Sequence, residues 1–408
     1  MSIEHIRNQF PILGTQVYGK PLVYLDNAAT AQRPVSVQET WNRLVREENA
    51  NIHRAVHYLS SRATDAFEDT RECVRKFIKA KSREEIVFTS GATAALNLVA
   101  FSFGEAFVEE EDLIAVTVSE HHSNLVPWQM LCKRKKAHLL VVDILPDGSL
   151  DRNSLEKVLE RKPKILAITH ISNVLGIINP IKDIVRKAHS VGIPVLVDGS
   201  QGIVHEAVDV QDLDCDFYVF SGHKLYAATG TGVLYGKQKW LEQMPPYMGG
   251  GEMINSVKIH SSTYAPVPHK FEAGTQDFNA IPTLVPAIEF AQETRWDPQV
   301  LAEQGAIFDF VYKELSSNHS IHLFGDVPSP KVKIPLFSFA VEGAHHEDLA
   351  LILDKMGVAV RSGQMCAEPL MDRLGVTGLL RVSFAPYNTL KEAEYFVEAL
   401  NKAIKMLV

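Results

Sequence analysis

The sequence predicts an α/β protein built on a mainly parallel sheet, with a smaller α+β unit after it. Two observations carry the first part: short unbroken apolar runs recur from about Ile86, and amphipathic segments lie between them. In order, the runs are I-V-F-T, L-I-A-V-T-V, L-L-V-V, I-L-A-I-T, P-V-L-V-D and F-Y-V-F, between Ile86 and Phe220. Runs without polar alternation mark strands covered on both faces, and the helical spacing of segments 155–161 and 181–190 supplies crossovers. A third observation sets the second unit. Beyond G-G-G-E (Gly249 to Glu252) the pattern loosens, and the chain to about Asn279 reads as irregular loop. From Pro282 a helical stretch leads to I-P-L-F-S-F-A-V and L-L-R-V-S-F-A, read as strands, and to K-E-A-E-Y-F-V-E-A-L-N-K-A-I-K, a closing helix. The expected division is an N-terminal arm over 1–20 that packs with the small domain, a large domain over 21–285, and a small domain over 286–408.

Composition narrows the function. The chain has 408 residues, 46% hydrophobic and 22% charged, which is enough to bury a large core. With 41 basic against 49 acidic residues it has a net charge of −8, and its one basic cluster, Lys133 to Lys136, reads as a solvated helix end. Nucleic-acid and membrane-surface partners are therefore not expected. The first residues lack the basic-then-apolar pattern of a signal peptide, and no stretch has the ~18 uncharged apolar residues a span needs. Cys73, Cys132, Cys215 and Cys366 have no close pairing, so they are expected as free thiols in a reducing, cytoplasmic compartment rather than as disulfides or a metal site.

Open parallel sheets bind ligands beyond the carboxyl ends of their strands, so polar residues there carry the chemistry. Asp198 ends one strand and Lys224 follows another. Alone, Asp198 reads as a turn cap and Lys224 as a surface residue. Together they are the pair that pyridoxal phosphate chemistry requires: an acid that keeps a ring nitrogen protonated and an amine that forms an imine. The strand, turn and helix start of I-V-F-T-S-G-A-T-A-A offer an anion site around Ala92 and Thr93. Ser221 and His223 flank Lys224 as further donors. His121, after another strand, can stack on a ring and move protons, and Asn173 lies at the same edge.

These motifs, with Y-L-D-N-A-A-T-A-Q-R-P, N-I-H-R-A-V-H-Y-L-S, E-H-H-S-N-L-V-P-W-Q, S-G-H-K-L-Y, F-E-A-G-T and R-S-G-Q-M-C-A-E-P-L, resemble the class V aminotransferase group of fold-type I pyridoxal phosphate enzymes. More narrowly the chain is similar to the SufS/CsdA-type, or group II, cysteine desulfurases. The resemblance implies a seven-stranded-type large domain and a homodimer, with Lys224 bonded to the cofactor, Asp198 on its ring nitrogen, Gln201 on its hydroxyl and His121 stacked on the ring. Thr93, Ala92, Ser221 and His223 would hold the phosphate, with Thr275 reaching in from a second subunit. Asn173 and Arg381 would bind the substrate carboxylate, Arg361 would border the cysteine loop, and Cys366 would take sulfur from L-cysteine as a persulfide. A SufE-like protein would then accept that sulfur for iron–sulfur cluster assembly. Met365 stands where the family usually has histidine; its thioether cannot relay a proton, so ionisation of Cys366 is expected to depend on Arg361 and the loop. Alternatives are a selenocysteine lyase, another class V β-lyase or aminotransferase on the same cofactor, and, outside enzymes, a sulfur-trafficking scaffold.

Overall fold

The computed structural model describes residues 2–53 and 56–408. Seven strands form the central sheet, in the order Ile86–Thr89, Gly232–Gly236, Phe217–Ser221, Val195–Asp198, Leu166–Thr169, Leu113–Thr117 and His138–Val142. Six correspond to the predicted apolar runs. The seventh, Gly232–Gly236, runs antiparallel to both its neighbours, and the other pairings are parallel. Helices cover both faces because each presents an apolar stripe at helical spacing. Ile181–Ser190, for example, buries Ile181, Ile184, Val185 and Ala188.

The segment read as irregular loop contains an antiparallel hairpin, Ile254–Lys258 with Ser261–Tyr264. Its residues are nearly all exposed, so no alternation between a wet and a dry face announced it. Beyond it, helices Leu284–Arg295 and Pro298–Ser316 lead to a four-stranded antiparallel sheet, ordered Ile321–Phe324, Leu336–Val341, Leu379–Ser383, Arg361–Gly363. The last helix, Leu390–Leu407, starts at a capping box of Thr389 and Glu392 and buries Phe396, Val397, Leu400 and Ile404 against that sheet's core. The N-terminal chain bridges regions: Phe10 packs on Phe290 and Tyr387, and Arg7 pairs with Glu392. Val23 and Leu25 lie in the core of the four-stranded sheet, held by parallel pairing of Val23–Tyr24 with Val358–Ala359.

One edge of the central sheet is closed by side chains. Arg71, on helix Tyr58–Phe77, is 1% exposed and grips Glu272 through two hydrogen bonds of 2.7 and 2.9 Å. The same guanidinium donates to Ile86 O, and Glu272 Oε1 accepts from Phe88 N–H. Removing one partner of a buried pair strands the other's charge, so Arg71→Ala is expected to cost about 3–5 kcal/mol of stability. Chemical denaturation measures this; an unchanged midpoint would show that the pair is solvated.

Candidate active site

A cavity of about 370 Å³ opens where the central sheet's carboxyl ends meet the four-stranded sheet. Strand register brings its polar groups together: Asp198 pairs with Thr169 and Val219, and Ser221 with Gly232. Lys224 follows within three residues, on the 3-10 turn Gly222–Lys224. Its side chain is half-buried and makes no hydrogen bond or ion pair among the described residues. Desolvation pulls its pKa below the usual lysine range, against the attraction of Asp198, and so favours the neutral amine. Asp198 is 5% exposed, accepts one hydrogen bond from Ser200 N–H, and has no ion-pair partner among the described residues. An enclosed carboxylate of this kind calls for a cationic or N–H partner.

The turn after Ile86–Thr89 forms the neighbouring wall. Helix Ala92–Phe107 starts there, Ala92 N–H donates to Ser221 Oγ at 2.8 Å, and Thr93 Oγ1 lies 2.7 Å from Ser123 Oγ. Gly232 lets the backbone of Gly91 approach: a Cβ at residue 232 would stand 2.4 Å from Gly91 Cα. His223 touches Thr30 Oγ1, and burial lowers its pKa to about 4. His121 is likewise lowered to about 4, first by burial and then by Lys224. Its Nδ1 accepts from Ser123 N–H, so the neutral ring carries its proton on Nε2.

The four-stranded sheet supplies the opposite wall. Arg381 is 2% exposed, donates from Nη1 to Asn173 O at 2.8 Å, and meets Asp26 through Nη2 at 3.0 Å. Arg361, its direct partner across the ladder, is half exposed. Cys366 is exposed and lies with Met365 in left-handed backbone, φ 55° and 52°, a costly conformation for residues with a Cβ. Three hydrogen bonds hold this turn: Asn173 Nδ2 donates to Met365 O, His122 N to Cys366 O, and Glu368 N to His122 Nε2. Met365 borders the cavity but packs with Ile144, Val174 and Leu175, so this position is an apolar anchor. The imidazole of His122 reaches the loop backbone, accepting from Glu368 N–H at 3.0 Å.

Of the residues singled out in the sequence, Ala92, Thr93, His121, Asn173, Asp198, Ser221, His223, Lys224, Arg361, Cys366 and Arg381 all line this one cavity. Gln201 lines a smaller cavity on the other side of Lys224 and donates to Ala28 O. Thr275 is exposed and does not line the cavity. Two residues near the cavity were missed. Asp26 follows a two-residue strand, too short to show a pattern. Glu120, next to His121 in the chain, is buried, accepts from Thr117, Asn124 and Thr169, and has its pKa pushed up to about 8 by desolvation.

The model of the family described as aminotransferase class-V matches residues 23–396. A protein of Xylella fastidiosa (strain 9a5c) named "Probable cysteine desulfurase" is 44% identical over 404 residues, covering 99% of this chain and 96% of that one. The cysteine desulfurase of Pectobacterium carotovorum subsp. carotovorum (strain PC1) is 42% identical over 407 residues, covering 99% and 98%. The crystal structure of the Escherichia coli cysteine desulfurase CsdA superposes with a TM-score of 0.90 at 36% identity, over 100% of both chains. Since the match takes in the sheet, the cavity walls and the cysteine turn alike, this enzyme belongs to the class V aminotransferase family, in its cysteine desulfurase group.

Proposed function

We propose that the enzyme takes sulfur from L-cysteine, releases L-alanine and holds the sulfur as a persulfide on Cys366. The observation that carries this reading is an exposed thiol on the same cavity as a desolvated lysine, an unpaired carboxylate and a buried arginine.

The family uses pyridoxal phosphate, and the residues here fit it. Desolvation lowers the pKa of Lys224 and so favours its neutral amine, Asp198 has no ion-pair partner among the described residues and is open to a ring N–H, and the turn at Ala92 and Thr93 with Ser221 and His223 offers donors to a phosphate. When bound, the cofactor supplies an aldehyde for imine formation and a ring that draws electron density from the substrate's Cα. With the cofactor bound, Lys224 would remove and return the α-proton, Asp198 would keep the ring nitrogen protonated, Gln201 would hold the ring hydroxyl, and His121, which carries its proton on Nε2, would serve as the ring's neighbouring proton donor. Asn173, Arg381 and Arg361 receive the α-carboxylate. The Cys366 thiolate attacks the substrate sulfur: the S–S bond forms, the Cβ–S bond breaks, and its electron pair ends on Cβ, where a proton completes alanine's methyl group.

The test is a single turnover with L-cysteine. Alanine is expected in equal amount to sulfur retained on the protein, with one added sulfur mapped to the peptide containing Cys366. A keto acid in place of alanine would overturn the reading.

The separate apolar cores of the two sheets support a two-domain division, with helix Leu284–Arg295 packed in the core of the central sheet. The exposed placement of Thr275 supports a homodimer in which it reaches a partner's phosphate site; a fully active monomer in sedimentation would refute that. The exposed Cys366 supports handing sulfur to a SufE-like acceptor for iron–sulfur assembly, tested by labelled sulfur transfer to such a protein; label that stays on Cys366 refutes it. Among the described residues no helix is long and apolar enough to cross a membrane. The unpaired cysteines support a cytoplasmic setting, which fractionation of cells tests; recovery outside the cytoplasm refutes it.

A further inference from the structure

Asp26 lies outside the set the sequence pointed to, yet it meets both arginines of the cavity. Arg361 and Arg381 are direct partners across an antiparallel ladder, where like charges repel. The carboxylate of Asp26 sits against both: Oδ1 is 3.0 Å from Arg381 Nη2, and Oδ2 is 3.8 Å from Arg361 Nη1. Of this trio one positive charge is left unmatched, which suits a ligand with one carboxylate.

Geometry adds to charge. The backbone of Asp26 bridges to Ser383, two residues beyond Arg381, and Ser383 N–H donates to Leu25 O. Carboxylate and guanidinium are thus fixed to each other by the same two chain segments. Arg381 is held at Nη2 by Asp26 and at Nη1 by Asn173 O, while its Nε is buried without a partner. A planar guanidinium held at two nitrogens has a set orientation, and its remaining N–H groups keep their direction.

We propose that Asp26 is a positioning residue for substrate recognition: by gripping Arg381 it fixes the guanidinium so that the free donors meet the substrate's α-carboxylate. The proposal rests on the reading of Arg381 as the carboxylate site. It separates Asp26 from a residue that merely stabilises the fold, because its effect must depend on whether the ligand has a carboxylate.

The experiment is calorimetric titration of the holoenzyme with L-alanine and with L-alaninamide, which lacks that charge. Wild type should prefer L-alanine. Asp26→Asn should weaken L-alanine roughly tenfold, the worth of one oriented charge-assisted hydrogen bond, and leave L-alaninamide within about twofold. Should that variant not fold, Asp26→Asn with Arg361→Gln, which relieves the repulsion between the arginines, is compared with Arg361→Gln alone and should show the same selective loss. Equal binding of the two ligands by wild type would overturn the carboxylate reading of Arg381. Wild-type preference that survives in the Asp26 variants would overturn the role of Asp26 alone.

Discussion

Lys224→Ala is expected to abolish turnover, with a loss of at least ~10³-fold in kcat, because the α-proton loses its base and the cofactor its covalent anchor. The physical ground is burial. Lys224 is half-buried, and desolvation lowers its pKa, which favours the unprotonated amine over the charged form a surface lysine keeps. Lys224→Arg is expected to fail as completely, since a guanidinium stays protonated at any pH the protein survives. The measurement is borohydride reduction of the holoenzyme followed by peptide mapping. Wild type should carry the reduced cofactor on Lys224. Covalent label on another lysine, or alanine release by Lys224→Ala, would sink the assignment.

Cys366→Ala is expected to bind L-cysteine and then stall, with sulfur release lowered by at least ~10³-fold. Cys73→Ala, Cys132→Ala and Cys215→Ala should turn over normally. The contrast follows from surroundings: burial pushes the Cys73 thiol up to about 11, raises Cys132 and raises the enclosed Cys215 further, so none offers a thiolate near neutral pH. Only Cys366 is both exposed and on the cavity. Quantified alanine and sulfide from each variant decide the matter. Normal desulfuration by Cys366→Ala would leave only a general β-lyase.

Much of this site could be read from the sequence because it sits at the ends of unbroken apolar strands. Asp198 and Lys224 are polar residues where V-L-V and F-Y-V-F stop, and strand order does the rest. The seventh strand escaped notice because G-V-L-Y-G is bracketed by glycines and reads as a turn. Asp26 escaped because its contact with Arg381 spans 355 residues of sequence and no local pattern encodes it. The left-handed pair at Met365 and Cys366 was invisible for a related reason: neither is a residue that favours that conformation, and it is imposed by hydrogen bonds from His122 and Asn173, far away in the chain.

The closure of the sheet beside Arg71 has a colloidal consequence separate from its effect on folding free energy. Ile86–Thr89 is an outer strand, and I-V-F-T is an apolar, uncharged run of the kind that recruits another chain by strand addition. In the folded protein Ile86 O and Phe88 N–H are already occupied by Arg71 and Glu272, so an incoming strand finds these two pairing groups taken and a buried ion pair in its path. A lesion at either residue exposes a template for self-association, and its first symptom in cells would be loss of soluble protein rather than loss of specific activity.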